Sequence, residues 1–436
     1  MIPRLPPAVL GWLVLTIGWT ADAWPEDWPR WRGVRGDGSW QAPPLAEQWP
    51  AGGLEVVWKQ PIGGGYAGVS VADGRVFTLD RQTQPREVER VVCLELATGR
   101  MVWRHEYPVS YGKLDYGNGP RAAPTVIDGR VFTLGAMGHA LCLDANTGQP
   151  VWTVDTVARH GARVPEWGFA ASPLVWEDRV IVHVGAREGG CFLALDRTRG
   201  DLRWKAGDDP AGYATPRIIA HPGGRPQLVG WTPEHVLGID PSRGEVEWQI
   251  PYKVTYGVSI ATPMFVDGIV FVAGYWEGAK AIRLGTERSD ARLIYEDTRL
   301  LRGLMSQPLY RDGHAYLLDK QHGLTCFELA TGHKLWDDAN RLTPRGRNPQ
   351  ASLVWLGDSD RFLALNAEGE LVQGRLRPGG YEETARAKII GFTWAHPGFQ
   401  DRLVIARSDQ ELVCVQLPGA EDSGRGRRTA ASSFNP

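Results

Sequence analysis

Glu95-Leu96-Ala97-Thr98-Gly99-Arg100-Met101-Val102-Trp103 is the stretch on which the fold turns, because the chain repeats its pattern. An acid, then Gly four residues later preceded by Thr or Arg, then Trp four residues after the Gly, returns at Asp144 to Trp152, Asp196 to Trp204, Asp240 to Trp248 and Glu328 to Trp336. The physical need is a tight hairpin. Gly (99, 148, 200, 244, 332) supplies positive φ, the carboxylate accepts turn N–H groups, and the Trp is left to pack on a neighbouring unit. One such stretch is weak evidence, but five in one register define a repeat.

A second hairpin signal precedes several of these stretches. Val71-Ala72-Asp73-Gly74-Arg75-Val76-Phe77, Val126-Ile127-Asp128-Gly129-Arg130-Val131-Phe132 and Phe265-Val266-Asp267-Gly268-Ile269-Val270-Phe271 each put Asp-Gly between β-branched and aromatic residues. That is the type I′ hairpin signature, and two hairpins per unit make a four-stranded antiparallel meander. Trp103, Trp152, Trp204 and Trp248 lie 49, 52 and 44 residues apart, and Trp336 follows 88 later, two periods with one Trp missing. The skipped unit spans 260–297, with Tyr295 near the Trp position, and a further unit without the Trp spans 349–390.

The remainder of the repeat is split between the chain ends. Three strands run from Thr393 to Leu417, and Leu54 to Ile62 reads as a last strand without its first three, its Trp58 lying 45 residues before Trp103. Together they complete an eighth unit. The reading is therefore an all-β, eight-bladed β-propeller, residues 54–417, closed by an N-terminal strand in the last blade. An open solenoid or a pair of sandwiches leaves the split unit unexplained.

Composition agrees with this reading. The 436 residues include 53 Gly, 31 Pro and 19 Trp, a mixture that shortens helices, multiplies turns and points to a repeated role for Trp. Lys+Arg 48 against Asp+Glu 50 leaves a net charge of -2, which argues against a nucleic-acid partner. Arg4 precedes an apolar run, Leu5 to Trp19, that ends in Ala21-Asp22-Ala23; this reads as a signal peptide, 1–23, cleaved after Ala23, with a periplasmic or secreted product. As a membrane anchor the run is short and carries Pro6 and Pro7. No other transmembrane segment is visible, and a monomer is expected. Residues 24–53 contain Trp28-Pro29-Arg30-Trp31-Arg32-Gly33, too aromatic for a free tail, and are expected to dock on the propeller; 418–436 has the composition of a disordered end.

The Trp repeats resemble the tryptophan-docking motifs of pyrroloquinoline-quinone (PQQ) propellers over residues 54–417. Trp28-Pro29-Arg30-Trp31-Arg32-Gly33, followed by Trp49-Pro50 and Val57-Trp58-Lys59, is similar to the exported PQQ-like repeat proteins grouped with the assembly factor BamB. That resemblance implies the fold and two classes of function, since such propellers include quinoprotein dehydrogenases and non-catalytic scaffolds. The dehydrogenases are known for an adjacent Cys-Cys disulfide over the cofactor, a Ca²⁺ held by Glu and Asn, and an Asp base. Here there is no Cys-Cys, no Cys-x-x-Cys-His for haem, and no His spacing that suggests a metal. Cys93, Cys142, Cys326 and Cys414 share one repeat position and read, with Cys191, as small buried packing residues, unpaired. The chain also lacks the lipoprotein Cys of BamB.

Segments leading into each innermost strand carry Tyr66, Arg121, Trp167, Tyr213, Tyr256, Met305, Asn348, and Trp394 with His396. Such positions converge on the axis, so Arg121, Trp167, Tyr213, Tyr256, Asn348, Trp394 and His396 are the candidate ligand-binding residues, with Arg121 for a carboxylate and Trp394 for stacking. The bland alternative is that these aromatics plug the bore. Asp115 and Glu166 are the nearby carboxylates, without a fixed mutual distance. Two functions stand: an exported, non-enzymatic scaffold that binds a protein, cell-envelope component or ligand, and a diverged quinoprotein dehydrogenase using PQQ with Ca²⁺. The missing Cys-Cys and Ca²⁺ set favour the first.

Overall fold

Asp73 and Gly74 both take positive φ (53° and 68°), as do Asp128–Gly129 (48° and 68°) and Asp267–Gly268 (50° and 72°), which is type I′ geometry at each Asp-Gly pair. Each pair joins a short innermost strand, such as Ser70–Ala72 or Thr125–Ile127, to a longer second strand. The acid-to-Gly turns then join the third strand to the fourth, on the same face as the Asp-Gly hairpins. A computed structural model describes residues 26–422 and arranges them as eight sheets, each a four-stranded antiparallel meander, in an all-β eight-bladed propeller. The blades occupy residues 70–108, 125–155, 174–206, 217–251, 264–297, 309–337, 351–388 and 398–416 in chain order. The leader expected over 1–23 lies outside the described residues, as does 423–436. No helix among the described residues is long and apolar enough to cross a membrane.

Blade eight is completed by the strand Glu55–Pro61, antiparallel to Glu411–Gln416 with Trp58 opposite Cys414. Ring closure at the split unit is therefore as the repeat spacing requires.

The Trp of the motif docks on the next blade in every case but Trp248. Nε1 of Trp58, Trp103, Trp152 and Trp204 donates to the carbonyls of Leu96, Ala145, Arg197 and Pro241 at 2.7, 2.9, 3.0 and 3.0 Å. The ring lies on the motif Gly of that blade, so closely that a Cβ on Gly148 would stand 2.5 Å from Trp103. In blade five Tyr295 takes the role: its ring covers Gly332 and its hydroxyl donates to Leu329 O at 2.9 Å. Trp248 faces a blade that lacks the motif Gly and turns to Gln227 of its own blade, at 2.9 Å. Trp336 Nε1 donates to Arg377 O at 3.1 Å. Four of the five Cys lie directly across from these rings, Cys93 from Trp103, Cys142 from Trp152, Cys326 from Trp336 and Cys414 from Trp58, where Ala194, Gly238 and Ala281 serve elsewhere. The position takes a small residue because an indole lies over it. All five thiols are free and buried, and burial pushes Cys93, Cys326 and Cys414 up to about 12.

One blade departs from the four-strand rule. Ser39–Trp40 pairs in parallel with the innermost strand Ala351–Leu356, giving blade seven a fifth strand on its channel side. The rest of the arm crosses the face that carries the Asp-Gly hairpins. Trp28 exchanges backbone bonds with Val71 and meets Phe399 edge to face at 4.9 Å, Pro29 O accepts from Val126 N–H, and Arg32 donates to Pro308 O at 3.0 Å. Gly33 has φ +78°, and a Cβ there would stand 2.6 Å from the Trp28 ring. The spacing of the Trp28 to Gly33 motif thus follows from close packing across the axis.

Candidate ligand-binding site at the channel mouth

A chain that ends one blade on its outer strand and begins the next on its innermost strand must cross from rim to axis. In this ring all such crossings lie on the face opposite the Asp-Gly hairpins. At its inner end nearly every crossing carries a Pro, namely Pro124, Pro173, Pro216, Pro263, Pro308, Pro349 and Pro397, which biases the residue before it toward extended backbone. Several of those preceding residues are polar, and they link neighbouring blades around the axis. Ala123 N–H donates to Ser172 Oγ at 2.9 Å, Ser172 N–H to Thr215 Oγ1 at 2.9 Å, and Thr262 N–H to Gln307 Oε1 at 2.7 Å. On the far side Ser306 Oγ donates to Gln350 Oε1 at 2.9 Å, and the Gln350 amide faces His396 Nε2 at 3.3 Å. This polar girdle was not read from the sequence, although a polar residue before Pro ahead of several innermost strands was its signal.

Above the girdle is a cavity of about 840 Å³. Tyr66, Arg121, Trp167, Tyr213, Tyr256, Met305, Asn348, Trp394 and His396 all line it, and so do Asp115 and Glu166. Trp31 of the arm forms its floor, with Nε1 donating to Thr262 Oγ1 at 2.8 Å and its ring 4.3 Å from that of His396. The aromatics therefore wall an open space rather than fill the bore.

The walls are aromatic clusters. Trp394 stacks on Tyr66 at 5.5 Å and meets Tyr116 and Phe392 at the same distance; Trp167 lies 5.7 Å from Tyr213; Trp276 meets Tyr256 edge to face at 5.4 Å and Tyr275 at 4.5 Å. Trp276 and Tyr275 were not among the sequence candidates, because they sit on the turn between the second and third strands of blade five rather than on a crossing. Tyr256 holds a positive φ of 55° and is 68 % exposed at the rim. Trp167 Nε1 donates to Asp115 at 3.2 Å, which fixes the relation between those crossings.

The charged members are less free than their positions alone imply. The Arg121 guanidinium lies 5.6 Å over Tyr66 and donates to the carbonyls of Gly119, Asp115 and Tyr116, so much of its fork is occupied by backbone. Burial lowers its pKa, and no carboxylate is paired with it among the described residues. His396 is half-buried at the cavity wall; burial and the charge of Arg32 hold it down to about 3, so it is neutral at physiological pH and its bare Nε2 accepts from Gln350. It is a structural member of the girdle and not a base.

The residues fit a PQQ site only in part. Flat faces and Arg121 suit a planar polycarboxylate, yet no three His, Cys, Asp or Glu side chains converge to hold a metal among the described residues. Glu166 and Asn348 come from the crossings into blades three and seven, opposite sides of an eightfold ring. The metal-assisted cofactor site does not fit, and no chemical step is assigned through it.

The family described as "Outer membrane protein assembly factor BamB" matches residues 87–338. The outer membrane protein assembly factor BamB of Yersinia pestis is 22% identical over 375 residues, covering 81% of this chain and 86% of that protein. Among solved structures, BamB from Moraxella catarrhalis superposes with a TM-score of 0.60 at 16% identity, over 84% of this chain and 98% of that one. The quinohemoprotein alcohol dehydrogenase from Comamonas testosteroni superposes with a TM-score of 0.64 at 13% identity, over 90% and 81% of the two chains. At these identities the two structures speak to the fold alone.

Proposed function

Because the chain belongs to the family described as outer membrane protein assembly factor BamB, we propose that it works in the cell envelope, on the periplasmic side, as a non-enzymatic binding propeller. It takes a ligand or a segment of a partner protein into the aromatic mouth of its channel. The observation that carries this reading is the cavity itself: about 840 Å³, lined by side chains from around the ring, floored by Trp31, and rich in flat apolar faces. Rim aromatics that are already exposed, Tyr256 and Trp276, offer contact area at low entropic cost, as binding surfaces built on Tyr and Trp do. Among the described residues of the mouth, His396 is neutral and bonded to Gln350 and Arg121 is bound to carbonyls, which favours binding over acid–base chemistry.

A photo-crosslinking residue at position 256, in the full chain in its envelope, tests the proposal. A crosslink to a defined partner that disappears with Trp276→Ala supports it. The decisive counter-test is PQQ with Ca²⁺ added to the purified protein. A rise in melting temperature with a bound-quinone absorbance and dye-linked alcohol oxidation would overturn the non-enzymatic reading.

A further inference from the structure

On the other side of Trp31 the chemistry reverses. Two smaller cavities, about 290 and 140 Å³, lie between the arm and the innermost strands, the larger against blades two to four and the smaller against blades four to seven. Arg217, the first residue of the innermost strand Arg217–Ala220, lines both. It is half-buried, and its guanidinium has no hydrogen-bond or ion-pair partner among the described residues. Arg30 lines the larger cavity and is held through Val34 O; Arg32 lines the smaller and is held through Asp37 O at 2.5 Å and Pro308 O. Arg32 is placed with some care: its own φ is +63°, and Gly38 leaves the room that its guanidinium occupies.

Against these three cations stands one carboxylate lining either space, Asp37, and its Oδ1 is engaged by the N–H and hydroxyl of Ser39 at 2.8 and 2.6 Å. Arg35 at the edge is already paired with Glu26 at 2.6 Å. The cations thus share one region, partly withdrawn from water and short of counter-charge. Burial and the charge of Arg217 lower Arg32 to about 9, and burial and the charge of Arg30 lower Arg217. Thr215 and Thr262 also face the larger cavity; their oxygens accept from Ser172 N–H and Trp31 Nε1, which leaves their hydroxyl protons to donate. The space is rich in donors and poor in acceptors.

We propose that this end of the channel is an anion site, built by Arg30, Arg32 and Arg217 with Thr215 and Thr262, that takes a tetrahedral oxyanion of the phosphate or sulfate type. Three guanidinium groups from two separate parts of the chain suit several oxygens at once, and a larger cavity worth several waters at ~30 Å³ each admits such a group from solvent. The site accounts for the Trp28 to Gly38 motif beyond docking: the glycines and the Trp28 contact hold the arm so that its arginines meet Arg217.

The test uses the purified full chain, with calorimetric titration of inorganic phosphate, sulfate and glycerol phosphate at ionic strength fixed with chloride, and melting in the same buffers. Saturable heat and a raised melting temperature relative to chloride are expected for at least one of them; phosphate or sulfate binding assigns a free anion, and glycerol phosphate binding alone assigns an esterified one. Arg217→Gln should weaken binding at least tenfold while melting no lower than the parent in chloride, since it removes a half-buried unpaired cation. Arg30→Gln, at the more exposed side of the site, should weaken binding independently. No heat with any of the three anions, or unchanged affinity in both variants, would overturn the proposal.

Discussion

Gly129 and Gly148 belong to the same blade and hold nearly the same backbone, φ +68° and +71°, yet they meet different surroundings. A Cβ on Gly129 finds nothing within 4 Å, whereas one on Gly148 stands 2.5 and 2.6 Å from Cε3 and Cδ2 of Trp103. Gly129→Ala therefore isolates the cost of a side chain at positive φ, roughly 1–2 kcal/mol. Gly148→Ala carries that cost and also drives Trp103 back by about 1 Å to reach ordinary carbon contact at ~3.5 Å. Displacement costs about 1–3 kcal/mol as overpacking, and stretching the 2.9 Å bond from Nε1 to Ala145 O forfeits about 1 kcal/mol more. The two variants should thus differ by about 2–4 kcal/mol. At roughly 2.1 cal/mol/K per residue over ~400 residues, that is a gap of about 2–5 °C in melting temperature. Urea unfolding followed by Trp fluorescence gives the same comparison at constant temperature. In a Trp103→Ala background the extra cost of Gly148→Ala should vanish, since the ring it strikes is gone. Equal losses for the two glycines, or additive losses in the double variant, would refute the docking account of the repeat.

Alkylation of the native protein should label none of the five thiols, and alkylation after denaturation without reductant should label all five, read by intact mass; fewer in the second case would mean a disulfide. Burial holds His396 at about 3 and His183 at about 4, so the unfolded chain takes up protons on both as pH falls through about 6.5 while the folded chain does not. Stability should therefore fall between pH 7.5 and 5 by up to about 1.4 kcal/mol per pH unit for each such histidine, and His183→Gln should flatten the decline in urea midpoint; a decline identical in the variant would exclude that histidine as a cause. Trp31→Ala should join the mouth to the lower cavities and hydrate His396, whose pKa, followed by NMR, should climb toward 6.5; an unmoved titration would show that Trp31 is not the floor.

The blades were legible because the repeat states its own physics. A Gly that must be bare, an acid that holds its turn and an indole that reaches the next blade recur in one register. Even the exception at Tyr295 was visible, because the period pointed at it. The mouth residues were legible by position, as residues ahead of innermost strands. Their individual states were not. That Arg121 is tied to carbonyls and His396 is bonded to Gln350 depends on partners in the crossing itself and in the preceding blade. The strand Ser39–Trp40 escaped because two residues carry no alternation. The arginines of the arm escaped because their meaning depends on Arg217, far along the chain.

The seam in blade eight has a consequence in time. Trp58 and Cys414 face each other although 356 positions separate them in the chain, so the strand that closes the ring is made first and its partner last. In the interval the early strand has company, because the indole of Trp58 already bonds to Leu96 and lies on Gly99 of the first blade. It waits as a held template, its inner edge open, until 411–416 arrive. A chain cut short by translation or a protease before that point keeps an unpaired strand edge, the kind of surface that aggregates or is degraded. The join between first and last strands makes synthesis through residue 416 a condition of ring closure.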